Sequence, residues 1–182
     1  MTSPDDFDPG PARPVSQEKS GDRWALSFTQ VFPHPPAAVW SALTDPDELM
    51  VWAPYSADRN LASVGPATLL MTEGGETSAF DGEVTVAQPP LRLDHAWGRH
   101  RLQWRLRAVE GGTEVTLLHV LDVGDQADEL PMMAAGWHLC LVVAESHLNG
   151  SPMGRISGAA ALNYGFESLR AGYQQALQHP ET

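Results

Sequence analysis

At 182 residues with 42% hydrophobic content, the chain is long enough for one domain with a full core and too short for two of ordinary size. A formal net charge of −12 with one lysine, Lys19, excludes nucleic acid and an anionic membrane surface as partners, since both require clustered cations. The lone Cys140 cannot form an internal disulfide and the N-terminus is acidic and proline-rich rather than basic and then apolar, so a cytoplasmic protein is expected.

Residues 1–22 carry Pro4, Pro9, Pro11 and Pro14 among acidic and small residues. That composition buries too little apolar area to offset its ordering entropy, and a disordered, solubilising tail is expected, with residues 23–178 as the domain. From Trp24 the chain alternates: Trp24, Leu26, Phe28 and Phe32 share one face, while Ser27, Thr29 and Val31 share the other, as in a half-buried antiparallel strand. Pro36 then opens a helix with apolar positions Val39, Trp40 and Leu43, and Thr44 or Asp45 caps a second short helix whose buried side is Leu49, Met50 and Trp52.

Short strands are expected near residues 58–63, 67–72, 79–87, 91–97, 101–109 and 113–123, separated by Gly65-Pro66, Gly74-Gly75, Pro89-Pro90, Gly98 and Gly111-Gly112. A meander fits better than parallel units, which would need a helix between strands. Pro131 opens a long helix to Asn149, with Gly150 as its stop. Its apolar positions Met133, Trp137, Leu141, Ala144 and Leu148 form one stripe toward the sheet. The longest apolar run, residues 139–144, is far below the roughly 20 residues that span a bilayer, so no membrane insertion is expected. A last helix is expected over residues 164–177.

The Gly111-Gly112 pair predicts a two-residue hairpin turn flanked by Glu110 and Thr113. Counting outward sets Trp104 opposite His119, Leu106 opposite Leu117 and Leu102 opposite Leu121, all on one face. Arg101, Gln103, Arg105 and Arg107 take the other, at least partly wet face. Gly98-Arg99-His100 is either a two-residue turn or a three-residue loop with a bulge; the two-residue version sets His95 opposite Trp104 and keeps Leu91, Leu93 and Trp97 on the apolar side. His95, Trp104 and His119 would form one row across three strands. Two histidines among large hydrophobes are either core residues bonded to carbonyls or water, or polar anchors that orient a ligand in an apolar pocket. A metal site would need a third ligand, and no His-x-His, His-x-x-x-His or Cys-x-x-Cys spacing supplies one. No metal and no cofactor are expected.

Asp81, Glu83 and Asp94 fall on polar alternates and read as solvated carboxylates, as His138 and Glu145 read as the wet side of the long helix. Cys140, beside Trp137 and Leu141, reads as a small buried hydrophobe. No dyad, Gly-x-Ser-x-Gly, phosphate-loop or dinucleotide fingerprint is present, and no catalytic residue is assigned.

The order of elements, with Pro36-Ala37-Ala38-Val39-Trp40 to Trp52, Phe80-Asp81-Gly82-Glu83-Val84, Pro89-Pro90-Leu91-Arg92-Leu93, Gly111-Gly112-Thr113-Glu114-Val115 and Gly136-Trp137, resembles the SRPBCC (START, birch-pollen-allergen-like) superfamily. Within it, the chain is similar to the branch of heat-shock-protein-90 ATPase activator homologues. The resemblance covers about residues 24–177. It implies an α+β helix-grip fold: a curved antiparallel sheet of about six to seven strands around a long C-terminal helix, two short helices after strand one, and an extra C-terminal helix. It also implies a deep pocket between sheet and long helix, used in the superfamily for lipids, polyketides and other apolar molecules, and no fixed catalytic set.

The leading expectation is a carrier or sensor of a small apolar, aromatic or lipid-like ligand. The cavity would be lined by Trp52, Phe80, His95, Trp97, Trp104, Leu106, His119, Met133, Trp137 and Leu141. A second reading is an enzyme of the polyketide cyclase, dehydratase or hydrolase type with His95 or His119 as general acid/base. A third is a protein-interaction or co-chaperone-like module, including a homodimer.

Overall fold

The computed structural model describes residue 4 and residues 7–122, 127–151 and 153–178. Among the described residues, nine strands form two antiparallel sheets. The larger has the order β1-β2-β9-β8-β7-β6 and the smaller β3-β4-β5. The large sheet contains β1 (Val15–Ser20), β2 (Arg23–Phe32), β6 (Val84–Gln88), β7 (Arg92–Trp97), β8 (His100–Val109) and β9 (Gly112–Leu121); β3 is Ser56–Ala57, β4 Thr68–Glu73 and β5 Glu76–Asp81. Between β2 and β3 lie α1 (Pro36–Thr44) and α2 (Pro46–Trp52), and after β9 come α3 (Leu130–Leu148) and α4 (Phe166–Gln178). This is the helix-grip arrangement, with the core between the large sheet's inner face and α3.

Local chemistry explains the element boundaries. Asp45, not Thr44, caps α2: its Oδ1 accepts from the Asp47 N–H at 2.9 Å and the Glu48 N–H at 3.4 Å, satisfying two amides that have no partner within the helix. Leu49 and Trp52 are buried on that helix, whereas Met50, expected beside them, is 53% exposed. Pro131 sits in the first turn of α3, and Gly150 follows its end in the left-handed region at φ 73°.

Several expectations are corrected. Residues 15–20 are not a disordered tail but β1, paired along its length with β2 from Val15–Phe28 to Ser20–Arg23. Residues 1–3, 5, 6 and 123 lie outside the described residues. The segment expected as one strand over 79–87 breaks at Gly82, whose N–H bonds the Ala67 carbonyl at 2.9 Å. Its first half pairs with β4 and its second with β7. The short strand expected over 58–63 is displaced to the two residues of β3, and Asp58 instead accepts the Thr68 N–H.

The strand registers are also corrected. The β8–β9 turn has Val109 opposite Gly112, so Trp104 faces Leu117 and Leu102 faces His119. Gly111 serves the turn's left-handed geometry at φ 86°, and Gly112 follows it at φ 155°. Gly112 heads β9, where any Cβ would come within 2.0 Å of the Phe32 carbonyl oxygen, so the second glycine permits a close backbone approach as well. The β7–β8 hairpin shows the same shift, with Leu93 opposite Trp104 and His95 opposite Leu102. A two-residue slip leaves every side chain on its expected face, and the row becomes Leu26, His119, Leu102 and His95.

The long helix α3 is buried on more than the one expected stripe. Ala134, His138, Leu139 and Val143 are buried as well as Trp137, Leu141 and Ala144, because α4 and the N-terminal segment cover the side away from the sheet. His138, read from sequence as solvent-facing, is 1% exposed. Its Nδ1 accepts from the Tyr173 hydroxyl and its Nε2–H donates to the Pro9 carbonyl, both at 2.8 Å. Asp94 on the outer sheet face is likewise buried, not solvated, and bonds Arg92 Nη2 at 2.7 Å and Arg105. Burial alone would raise its carboxyl pKa, but the two guanidiniums together hold it below the usual carboxylate range.

Candidate functional site

The inner sheet face carries a layer of rings. Strand alternation puts His100, Leu102, Trp104 and Leu106 of β8 beside Leu93, His95 and Trp97 of β7 and Leu117, His119 and Leu121 of β9. Trp137 reaches down from α3, its ring centroid 5.6 Å from Trp104, 5.9 Å from Trp97 and 6.0 Å from His119.

Hydrogen bonds fix the protonation of these histidines. Trp137 Nε1–H donates to His119 Nδ1 at 2.9 Å. The indole can only donate, so the His119 proton is on Nε2, which donates to His100 Nδ1 at 3.2 Å. His95 Nδ1–H donates to the Ala96 carbonyl at 2.8 Å and its Nε2 accepts from the Tyr55 hydroxyl at 3.3 Å. Burial disfavours the imidazolium form, lowering His95 to about 4 and His119 to about 3, the latter also through the neighbouring His100. Both rings are neutral at physiological pH, with both nitrogens engaged.

A cavity of about 390 Å³ lies at one end of this layer, within the range of small-molecule pockets. One wall is α3, through Met132, Met133, Gly136, Trp137, Leu139 and Cys140. Opposite are Trp97 from β7, Pro54, and Met71, Thr72 and Glu73 at the end of β4. Ile156, Ser157, Gly158, Ala161 and Phe166 close the third side. Exposed Glu73, Met132 and Gly158 mark the mouth. Trp97 is oriented by an Nε1–H bond to Met71 Sδ at 3.3 Å. Burial pushes the Cys140 thiol up to about 12, so it remains a neutral, apolar wall group.

Of the ten residues expected to line a cavity, the structure brings three to it: Trp97, Met133 and Trp137. Trp52, Trp104 and Leu141 instead pack around a void of about 10 Å³ in the core, and Leu106 is buried among neighbouring core residues. His119 lies behind Trp137, which it accepts from, and His95 behind Tyr55. Neither histidine lines the cavity, so a pocket-histidine enzyme finds no support in this geometry. Phe80 lies on β5 over Gly98 and is 37% exposed. Sequence reasoning missed His100, which the same alternation that selected Leu102 and Trp104 would have placed inward. The segment from Ile156 to Phe166, which has no periodic pattern to read, closes the third side of the cavity.

Among the described residues no helix is long and apolar enough to cross a membrane, and no group of three His, Cys, Asp or Glu side chains is gathered as a metal site would need.

Known structures share this fold. A Rhodobacter sphaeroides protein superposes with a TM-score of 0.61 at 24% identity, covering 74% of this chain and 98% of its own. The conserved protein of unknown function EF2215 from Enterococcus faecalis gives 0.67 at 14% identity, covering 92% of each chain. CalU16 from Micromonospora echinospora gives 0.61 at 18% identity, covering 90% of this chain and 95% of its own. No curated protein matches. The family model of Activator of Hsp90 ATPase homolog 1-like proteins matches residues 33–145, more than half of the chain. From just before α1 into the last turn of α3, the chain thus carries the pattern of that family: it belongs to the Activator of Hsp90 ATPase homolog 1-like proteins of the SRPBCC fold.

Proposed function

We propose that the protein binds a small apolar, ring-containing molecule in the cavity between α3, the end of β4 and the segment from Ile156 to Phe166. The observation that carries this reading is a cavity of about 390 Å³ whose walls are mainly tryptophan, methionine, phenylalanine and aliphatic side chains, with Thr72, Glu73 and Ser157 as its polar members. A space of this size with such walls is worth most to a ligand that leaves water. The interior supplies few hydrogen-bond partners: Trp97 already donates to Met71 and Trp137 to His119, so their faces rather than their N–H groups are offered. Rings stack or pack edge-on against such faces, and methionine sulfur adapts to them. The superfamily's use of this region for apolar molecules agrees with the reading.

Incubation with a mixture of lipids and aromatic polyketides, followed by native mass spectrometry, tests it. A retained ligand, displaced when Ala161→Trp fills the cavity, is the expected result. Recovery of nothing from the mixture, with the folded protein intact, overturns the reading.

A further inference from the structure

We propose that the ligand is a ring-bearing hydrophobe with a protonated amine, its ammonium lying at the cavity mouth against Glu73. This rests on the cavity reading above and gives it a chemical polarity. Alternation along β4 puts Leu69, Met71 and Glu73 on one face. Leu69 is fully buried and Met71 lines the cavity, so Glu73 continues an apolar row as a carboxylate at the rim. Thr72, the alternate residue, has its hydroxyl bonded to that of Thr77 across the hairpin at 2.9 Å.

The carboxylate is seated against the opposite lip. A Cβ on Gly158 would lie 2.9 Å from Glu73 Oε1, and that glycine has φ +58°, so the lip approaches Glu73 with bare backbone. The residue facing Glu73 across its own hairpin is Glu76, which supplies no cation. Glu73 forms none of the ion pairs found among the described residues. Among the described residues, no lysine, arginine or histidine lines the cavity. Arg155, the cation beside Cys140, donates to the Pro54 carbonyl. A fatty acid's carboxylate would therefore meet like charge at the mouth and no cation on the lining, whereas an ammonium would meet an unpaired carboxylate with its apolar body buried beyond it.

Calorimetric titration with naphthylethylammonium, ethylnaphthalene and naphthylacetate separates ring from charge. The expected order is ammonium, neutral, carboxylate, with the ammonium about tenfold tighter than the carboxylate at low salt and less so at high salt. Glu73→Gln should shrink that ratio at least about threefold. Glu18→Gln, the same charge change on the remote exposed strand β1, should leave it nearly unchanged and so separates the local carboxylate from the overall charge of −12. Equal binding of ammonium and carboxylate, or equal effects of the two variants, overturns the amine and leaves the apolar cavity standing. Binding of none of the three probes overturns both.

Discussion

His95 and His119 show how a titratable residue becomes part of a core. Each engages one nitrogen as donor and one as acceptor, and each is neutral because burial makes the charged ring costly. The sign of the resulting pH dependence follows. With folded values near 4 and 3 against about 6.5 when unfolded, the unfolded chain takes up protons first as pH falls. Stability is therefore full above about pH 6.5 and is lost on acidification toward the folded values. His95 alone accounts for on the order of 3 kcal/mol between pH 6.5 and 4. Urea denaturation at pH 7 and pH 4.5 should show the loss, and His95→Gln should flatten it. At this scale the sequence was informative about which face each ring occupies but not about its partner. Tyr55 and Ala96, which bond His95, come from a turn and from the neighbouring backbone, where no periodicity signals a contact.

The long helix α3 contains a concession to the cavity. Gly136 lies mid-helix on the cavity wall, and a Cβ there would meet nothing within 4 Å. Glycine in a helix interior is less favourable than alanine by up to about 1 kcal/mol, so Gly136→Ala should raise the denaturation midpoint. Gly136→Leu should weaken any retained ligand while leaving the far-ultraviolet dichroism unchanged. Helix existence and ends were legible from Pro131 and Gly150. The helix's burial on the side away from the sheet was not, because it depends on the N-terminal segment that composition assigned to solvent. That segment is tied down at several points: Pro9 to His138, Arg13 N–H to the Tyr173 hydroxyl at 3.2 Å, and Gln17 Nε2 to the Leu177 carbonyl at 2.7 Å. Removing residues 1–22 deletes these bonds and β1. Stability should fall by roughly 3 kcal/mol or more, read as a lower thermal midpoint, whereas a solvated tail would leave it unchanged.

Across the whole molecule, the fold followed from alternation and turn chemistry because long antiparallel strands and a 19-residue helix repeat their signal many times. The cavity did not, because its position depends on how two sheets diverge. The large sheet's inner face is filled around Trp104, and the cavity opens where β4 and the 156–166 segment meet Trp97. That geometry leaves a continuous ladder of indoles through the protein. Trp52 meets Trp104 edge-on at 6.1 Å, Trp104 meets Trp137 at 5.6 Å, and Trp137 meets Trp97 at 5.9 Å. At such separations, excitation absorbed on the α2 side migrates from ring to ring, and neighbouring transition dipoles couple. The ladder ends on the two tryptophans that face the cavity, so an occupant touching only them would alter the emission and near-ultraviolet ellipticity of all four. The protein carries its own optical reporter, running from the core to the cavity wall.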